Sequence, residues 1–131
     1  MIDPENEVYT RVATILRDKF MGIDVASEYV KAPSAFPHVS IVQSDNSDIA
    51  RRMTLCDEMA QVMFEINVYS NKTGGKKTEC KTIVKAIDSI FHAMNFKRLA
   101  LIPMPNLEDA TIYRMVVRYQ VATDGQFFYR R

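Results

Sequence analysis

The fold is decided by residues 59–96, which read MAQVMFEINVYSNKTGGKKTECKTIVKAIDSIFHAMNF. From Ala60 to Val68 every second residue is apolar, a period that is typical of a β-strand with one buried face. Gly74 and Gly75 interrupt this pattern. From Lys76 to Asn95 apolar residues recur at helical spacing, which predicts an amphipathic helix. The stretch is therefore a strand, a turn and a helix.

The rest of the chain supplies a second helix and the other strands. Asp3 is a helix-capping residue and Pro4 suits a first turn, so a helix of about 17 residues is expected to end near Gly22. We expect the long strand to cover 52–70, with further strands at 23–30, 38–42, 99–102, 111–123 and 126–131. The predicted fold class is α+β, with a mixed, mainly antiparallel β-sheet and two amphipathic helices packed on one face.

The composition is that of one ordinary globular domain, residues 1–131, because 47% of the residues are hydrophobic and 25% are charged. A net charge of +1 gives the molecule no strong overall attraction to nucleic acid or to an anionic membrane. No apolar run reaches the roughly 20 residues that cross a bilayer, and the acidic N-terminus does not resemble a secretory signal. We therefore expect no membrane partner.

The turn at Gly74-Gly75-Lys76-Lys77 lies between a strand and a helix, where a phosphate-binding loop would belong. That motif requires a glycine five residues before its Gly-Lys pair and a Ser or Thr directly after the lysine. Ser70 and Lys77 occupy these two positions. The better interpretation is a plain turn that leads into a helix.

Other enzyme signatures are also absent from the sequence. Asp88, Ser89 and His92 are expected on the polar face of a helix, where no oxyanion hole would accompany a nucleophile. The metal-binding residue types are few and scattered, at His38, Cys56, Cys80 and His92. We therefore expect no catalytic residues, no metal and no cofactor, and we expect that the protein is not an enzyme.

The second face of the long strand mixes methionine and tyrosine with polar residues. Methionine and aromatic side chains are enriched in interface cores. We therefore hypothesise a subunit interface formed by Met59, Gln61, Met63, Glu65, Asn67 and Tyr69. Cover by a loop or helix of the same chain is an equally open alternative.

Two charged segments are further candidates for contacts. A docking loop, exposed and mobile until it binds a partner, is expected around Asp45, Asn46, Asp48, Arg51 and Arg52, which combine turn-forming residues with opposite charges. A basic patch is formed by Arg114, Arg118, Arg130 and Arg131, with aromatic residues interleaved. Such residues can stack on bases, but the RNP pattern of RNA-binding sheets is absent, and charges that protect an edge strand are the main alternative.

A series of short motifs resembles a known family. The motifs are Asn67-Val68-Tyr69-Ser70-Asn71-Lys72, Gly75-Lys76-Lys77, the helix pattern Ile83…Ile87-Asp88…Phe91, Phe96-Lys97-Arg98, Pro105-Asn106, Tyr113-Arg114, Arg118-Tyr119 and Tyr129-Arg130. With them, most of the chain resembles the small tail-completion, or tail-terminator, proteins of long-tailed bacteriophages. These are also described as head–tail joining proteins.

The resemblance implies a structural virion protein of the head–tail junction, assembled in the host cytoplasm. Its partners would be further copies of itself in a hexameric ring, the phage tail-tube protein and the head connector proteins. The ring would cap the tail tube and join the tail to the connector, while the isolated subunit could be a monomer in solution. Genomic DNA would pass through the ring with non-specific contacts at most, and the basic patch would face this lumen or an interface.

Two other functions stay open on the sequence. A head-side neck or connector protein would belong to the same biology. A small single-stranded nucleic-acid-binding module is a different class, and it would use Arg114, Arg118 and the C-terminal aromatic residues.

Overall fold

A computed structural model of the protein describes residues 1–30, 33–49, 59–105 and 111–129. The elements in chain order are α1 (Glu5–Lys19), β1 (Asp24–Ala26), β2 (His38–Asp48), β3 (Ala60–Ser70), α2 (Lys76–Ala93), β4 (Lys97–Pro105), β5 (Tyr113–Thr123) and β6 (Phe128–Tyr129). Within these ranges, no helix is long and apolar enough to span a membrane.

The strands form one sheet in the order β1-β2-β3-β5-β4, and the short β6 also pairs with β5. β1 is parallel to β2, whereas all other pairs are antiparallel. The strand that the sequence singles out, β3, lies at the centre between β2 and β5. The predicted α+β fold with a mixed, mainly antiparallel sheet is confirmed.

Both helices bury their apolar stripes against the same face of the sheet. Val8, Val12 and Leu16 of α1 join the apolar side of β3 and the stripe of α2 in one core. At its centre the ring of Phe91 stacks on the ring of Tyr119, with 4.3 Å between centroids. Both predicted helices are therefore present, and each covers the sheet with the side that its periodicity predicts.

Residues 44–48 differ from their predicted conformation. They were expected to be an exposed, mobile loop, but they form the second half of β2, where Asp48 pairs with Ala60. β3 extends far enough to supply backbone partners for these polar residues, and a β-bulge after Gln43 adjusts the register. The two arginines of the predicted docking loop lie outside the described residues, as does Cys56.

Several strand ends also differ from the predicted ones. β4 continues through Pro103, which was expected to end it, because an edge strand tolerates a proline whose missing N–H would point outward. β6 begins at Phe128, two residues later than predicted, because Asp124 Oδ1 accepts backbone N–H groups from Gln126 and Phe127 at 2.8 and 2.7 Å, which holds both residues in the turn.

Candidate assembly surfaces

The helix-free face is the side of the sheet opposite α1 and α2. On β2 and β3 it carries two cross-strand pairs of polar residues, His38 opposite Tyr69 and Ser40 opposite Asn67. None of these four residues is more than 2% exposed. These four side chains are therefore buried within the subunit and cannot contact another molecule.

Arg114 of β5 lies over this buried polar row. Its Nε and Nη2 donate to Asn67 Oδ1 at 3.0 and 2.6 Å. Its guanidinium carbon is 5.5 Å from the ring centroid of Tyr29 and 5.7 Å from that of Tyr69, which allows cation–π attraction. Burial raises the pKa of Tyr69 to about 12, although the positive charge of Arg114 opposes the shift. Arg114 is therefore engaged inside its own subunit.

Unpaired atoms of this buried polar row carry an energetic cost. His38 Nε2, Ser40 Oγ and Asn67 Nδ2 are buried and have no hydrogen-bond partner in the described part of the chain. Each unpaired buried group of this kind costs about 1–3 kcal/mol. The other ring nitrogen of the histidine, Nδ1, is 2.8 Å from Asp24 Oδ2, which orients the ring.

The structure divides the predicted subunit interface into two parts. Asn67 and Tyr69 are buried under Arg114 and the connection between β1 and β2, so cover by the same chain applies to that end. The half-buried members that can still reach another molecule are Met59, Gln61, Met63 and Glu65. A role of these residues in subunit contacts stays a prediction.

The predicted basic patch is also partly engaged. Arg118 Nη2 lies 3.1 Å from Glu65 Oε1, its cross-strand neighbour on β3. The interleaved tyrosines of β5, Tyr113 and Tyr119, point to the opposite face, where Tyr119 is buried in the core. Alternation along β5 thus separates the arginines from the tyrosines instead of joining them in one stacking surface. Arg130 and Arg131 lie outside the described residues.

An apolar surface that the sequence analysis did not single out lies at one edge of the sheet. β4 and β6 pair with successive parts of the same edge of β5, because β3 occupies its other edge. Among the described residues, five of the nine exposed large apolar side chains lie on these two strands or directly beside them. We call this surface the β4–β6 edge; its exposed members are Leu99, Leu101, Ile102, Phe127 and Tyr129.

The opposite edge of the sheet is protected. β1 covers the first part of β2, and the N-terminal residues lie beside the next part. Gln43 N–H donates to Glu5 Oε2 at 3.2 Å, and Asn46 Nδ2 donates to the Ile2 carbonyl at 2.8 Å. Among the described residues, the exposed apolar side chains thus concentrate at the β4–β6 edge. The signal in the sequence was the unbroken apolar run from Leu99 to Ile102, since a strand with one solvated face would alternate.

The residues tested for enzyme chemistry are used for structure. Asp88 Oδ1 accepts the Tyr119 hydroxyl at 2.9 Å and lies 3.2 Å from Arg98 Nη1. Burial and this carboxylate raise the pKa of Tyr119 above its ordinary value. Ser89 Oγ donates to the Lys85 carbonyl at 3.2 Å, so its proton already has an acceptor. In the described ranges, no group of three or more His, Cys, Asp or Glu residues could hold a metal ion.

The chain is similar to known proteins in sequence and in fold. The family model described as "Tail completion protein gp17" matches residues 10–124. Among solved structures, a chain of the "Virion of native gene transfer agent (GTA) particle" is similar in fold, with a TM-score of 0.58 and 16% sequence identity over 88% of each chain. No curated protein matches the sequence.

Proposed function

Since the chain belongs to the Tail completion protein gp17 family and is thus a structural protein of the phage tail, we propose a specific role for it. It caps the tail tube and joins the tail to the head connector. It does so as a ring of identical subunits, hexameric as in the tail-terminator proteins that the sequence resembles. It works by binding alone and carries out no catalysis. All of residues 1–131 serve this one role, at the head–tail junction of the virion.

The β4–β6 edge is the observation that supports ring assembly best. Leu99, Leu101 and Ile102 are each 40% exposed on a strand that nothing covers in the described part of the chain. Contiguous exposed apolar side chains mark interaction sites, and aromatic residues such as Phe127 are enriched in them. A surface of this kind fits a contact with another protein better than a contact with solvent.

A closed ring needs a heterologous contact, in which one surface meets a different surface of the next subunit. We assign the β4–β6 edge to one side of this contact. The other side is the half-buried end of the helix-free face, where Met63 lies between Gln61 and Glu65 on β3. Met63 offers an adaptable apolar side chain to the neighbour's Leu101 and Ile102. The free subunit is then a monomer until the tail end brings copies together.

The experiment is complementation of a phage in which the gene is disrupted. Without the protein we expect filled heads and separate tails; normal joined virions would contradict the proposal. A variant with Leu101→Glu and Ile102→Glu should fold but fail to restore joining. The matched control is Ile15→Glu on α1, because Ile15 is 41% exposed but lies far from the β4–β6 edge in the fold. The control should restore joining.

The alternative of a head-side neck protein differs in where the protein is found. If the wild-type protein copurifies with filled heads from a tail-deficient phage, the head-side role replaces the proposed one. The single-stranded nucleic-acid-binding alternative loses support, since Arg114 and Arg118 are engaged by Asn67 and Glu65.

A further inference from the structure

Helix α2 carries a row of lysines that neither the core nor the apolar edge uses. Lys77, Lys81 and Lys85 follow each other at intervals of four residues, and all three are exposed. Four residues make about one helical turn, so the three side chains share one face at steps of about 6 Å. We call them the lysine stripe. Lys72, also exposed, lies just ahead of the same helix.

In the described part of the chain, nothing neutralises the charges of the lysine stripe. The two carboxylates of α2 have other partners, since Glu79 Oε1 accepts from Ser70 Oγ at 2.6 Å and Asp88 lies 3.2 Å from Arg98. Within the described ranges the three lysines themselves form no ion pair. The stripe is therefore a local positive surface on a molecule whose net charge is only +1.

The arrangement is unfavourable for the isolated helix. Like charges four residues apart repel, and the stripe contains two such pairs. Lys77 also lies in the first turn, where the helix dipole disfavours a cation. Folding alone does not explain this pattern. A polyanion bound along the helix would convert the repulsion into attraction.

We propose that the lysine stripe binds the phosphate backbone of double-stranded DNA. This proposal rests on the proposed function, because DNA meets the lysine stripe only if it crosses the head–tail junction through the ring. Copies of the stripe around the ring would multiply a contact that is weak in a single subunit. The binding is electrostatic and does not read sequence.

The neighbours of the stripe favour DNA over an acidic protein surface. The exposed residues beside the lysines are Thr78, Thr82 and Ser89, all small and uncharged. The Thr82 and Ser89 hydroxyls donate to helix carbonyls, so Thr78 and the lysines are the donors for DNA phosphates, which commonly bind such side chains. Lysine and serine are instead depleted from protein–protein interface cores. Phe91, the aromatic residue of α2, is buried, so this face offers no ring for stacking on single-stranded bases. A duplex backbone fits these features best.

The first test measures binding of the purified full chain to a fluorescein-labelled DNA duplex by fluorescence anisotropy at several salt concentrations. Each phosphate contact contributes about 0.9 to the slope of log K against log salt, so Lys81→Gln with Lys85→Gln should reduce the slope by about 1.8. The matched control removes the same charge from α1, with Arg11→Gln and Arg17→Gln, and should keep the slope. No binding at low salt, or an equal change in the control, would overturn the proposal.

A second variant separates binding from folding. Lys81→Glu places a carboxylate between two lysines at helical spacing, so the melting temperature should rise. The same change removes a phosphate contact, which should weaken DNA binding about eightfold or more at about 0.1 M salt. A variant that is more stable but binds DNA as before would refute the assignment.

The outcomes also distinguish this inference from the proposed function. If Lys81→Glu blocks head–tail joining while DNA binding is unchanged, the stripe binds an acidic protein and the DNA assignment is wrong. If the slopes change as expected but a phage without the gene still forms joined virions, the DNA site stands and the proposed function fails.

Discussion

Two buried serines of the sheet should respond in opposite directions to the same substitution. Ser40 on β2 and Ser70 on β3 are both 0% exposed. Ser40 Oγ has no hydrogen-bond partner in the described part of the chain. Ser70 Oγ donates to Glu79 Oε1 at 2.6 Å and accepts the Lys72 N–H at 3.3 Å. We therefore expect Ser40→Ala to stabilise the fold and Ser70→Ala to destabilise it.

The magnitudes follow from the state of each hydroxyl group. Leaving a buried hydroxyl unpaired costs about 1–3 kcal/mol, and its removal leaves a small void, so Ser40→Ala should raise the free energy of unfolding by about 1 kcal/mol. Ser70→Ala loses a hydrogen bond to a charged carboxylate and leaves the Lys72 N–H without its acceptor. It should lower the free energy of unfolding by about 2 kcal/mol. The two variants should therefore differ by about 3 kcal/mol.

Urea unfolding followed by circular dichroism measures both changes. The slope of free energy against urea concentration should stay constant, so that the midpoint alone reports stability. In a chain of this size, 1 kcal/mol corresponds to a shift of about 3–5 °C in melting temperature. If Ser40→Ala destabilises the fold as much as Ser70→Ala, then the Ser40 hydroxyl has a partner and the argument from its unpaired state is refuted.

Three further changes test other parts of the fold. Tyr119→Phe should lower the free energy of unfolding by about 1–2 kcal/mol, and it should have a smaller effect in an Asp88→Ala background, because the acceptor of the Tyr119 hydroxyl is then already absent. Burial raises the pKa of the Cys80 thiol from 9.0 to about 12, so in a Cys56→Ser background it should resist alkylation at pH 8 until the protein unfolds. Because the folded state holds the thiol proton more tightly, the contribution of the protonated Cys80 thiol to stability should be full below pH 9 and should decline towards pH 12. Rapid alkylation of the native protein would contradict the raised pKa. Gly125→Ala should lower the free energy of unfolding by about 1–2 kcal/mol because the glycine has φ +93°, whereas its Cβ would meet only the Ile2 side chain at an ordinary contact distance of 3.7 Å. An unchanged melting temperature would show that the turn can relax.

Some features of the fold depend on neighbouring segments, and others depend on the local sequence alone. The apolar alternation in β3 and the apolar stripe of α2 predict which face of each element is buried. This is possible because the direction of successive side chains depends only on the local backbone geometry. The conformation of residues 44–48 depends on an antiparallel partner that begins at Ala60, so composition alone indicated a loop. Pro103 likewise continues β4 because that strand is at an edge, which is a property of the whole sheet.

The candidate surfaces show the same division. The resemblance to tail-completion proteins and the absence of catalytic motifs were readable in the chain, and the family match supports the first of them. The sequence did not show which charged side chains are free to bind other molecules. Arg118 is paired with Glu65, for example, because the register of β3 and β5 places the two side chains together although they are far apart in sequence. The spacing of the lysines of α2 is a property of the sequence, but only the structure places Glu79 against Ser70 and Asp88 against Arg98, which leaves the three lysines without an ion pair among the described residues.

The sequence by itself thus determined the class of the fold and the face that each main element buries, from the strand and helix within residues 59–96 outward. The tertiary structure alone decided which edge of the sheet is open and which charged groups remain free. The physical reason is that periodicity is a property of consecutive residues. Edge exposure and charge neutralisation instead depend on which distant segments come within contact distance after folding.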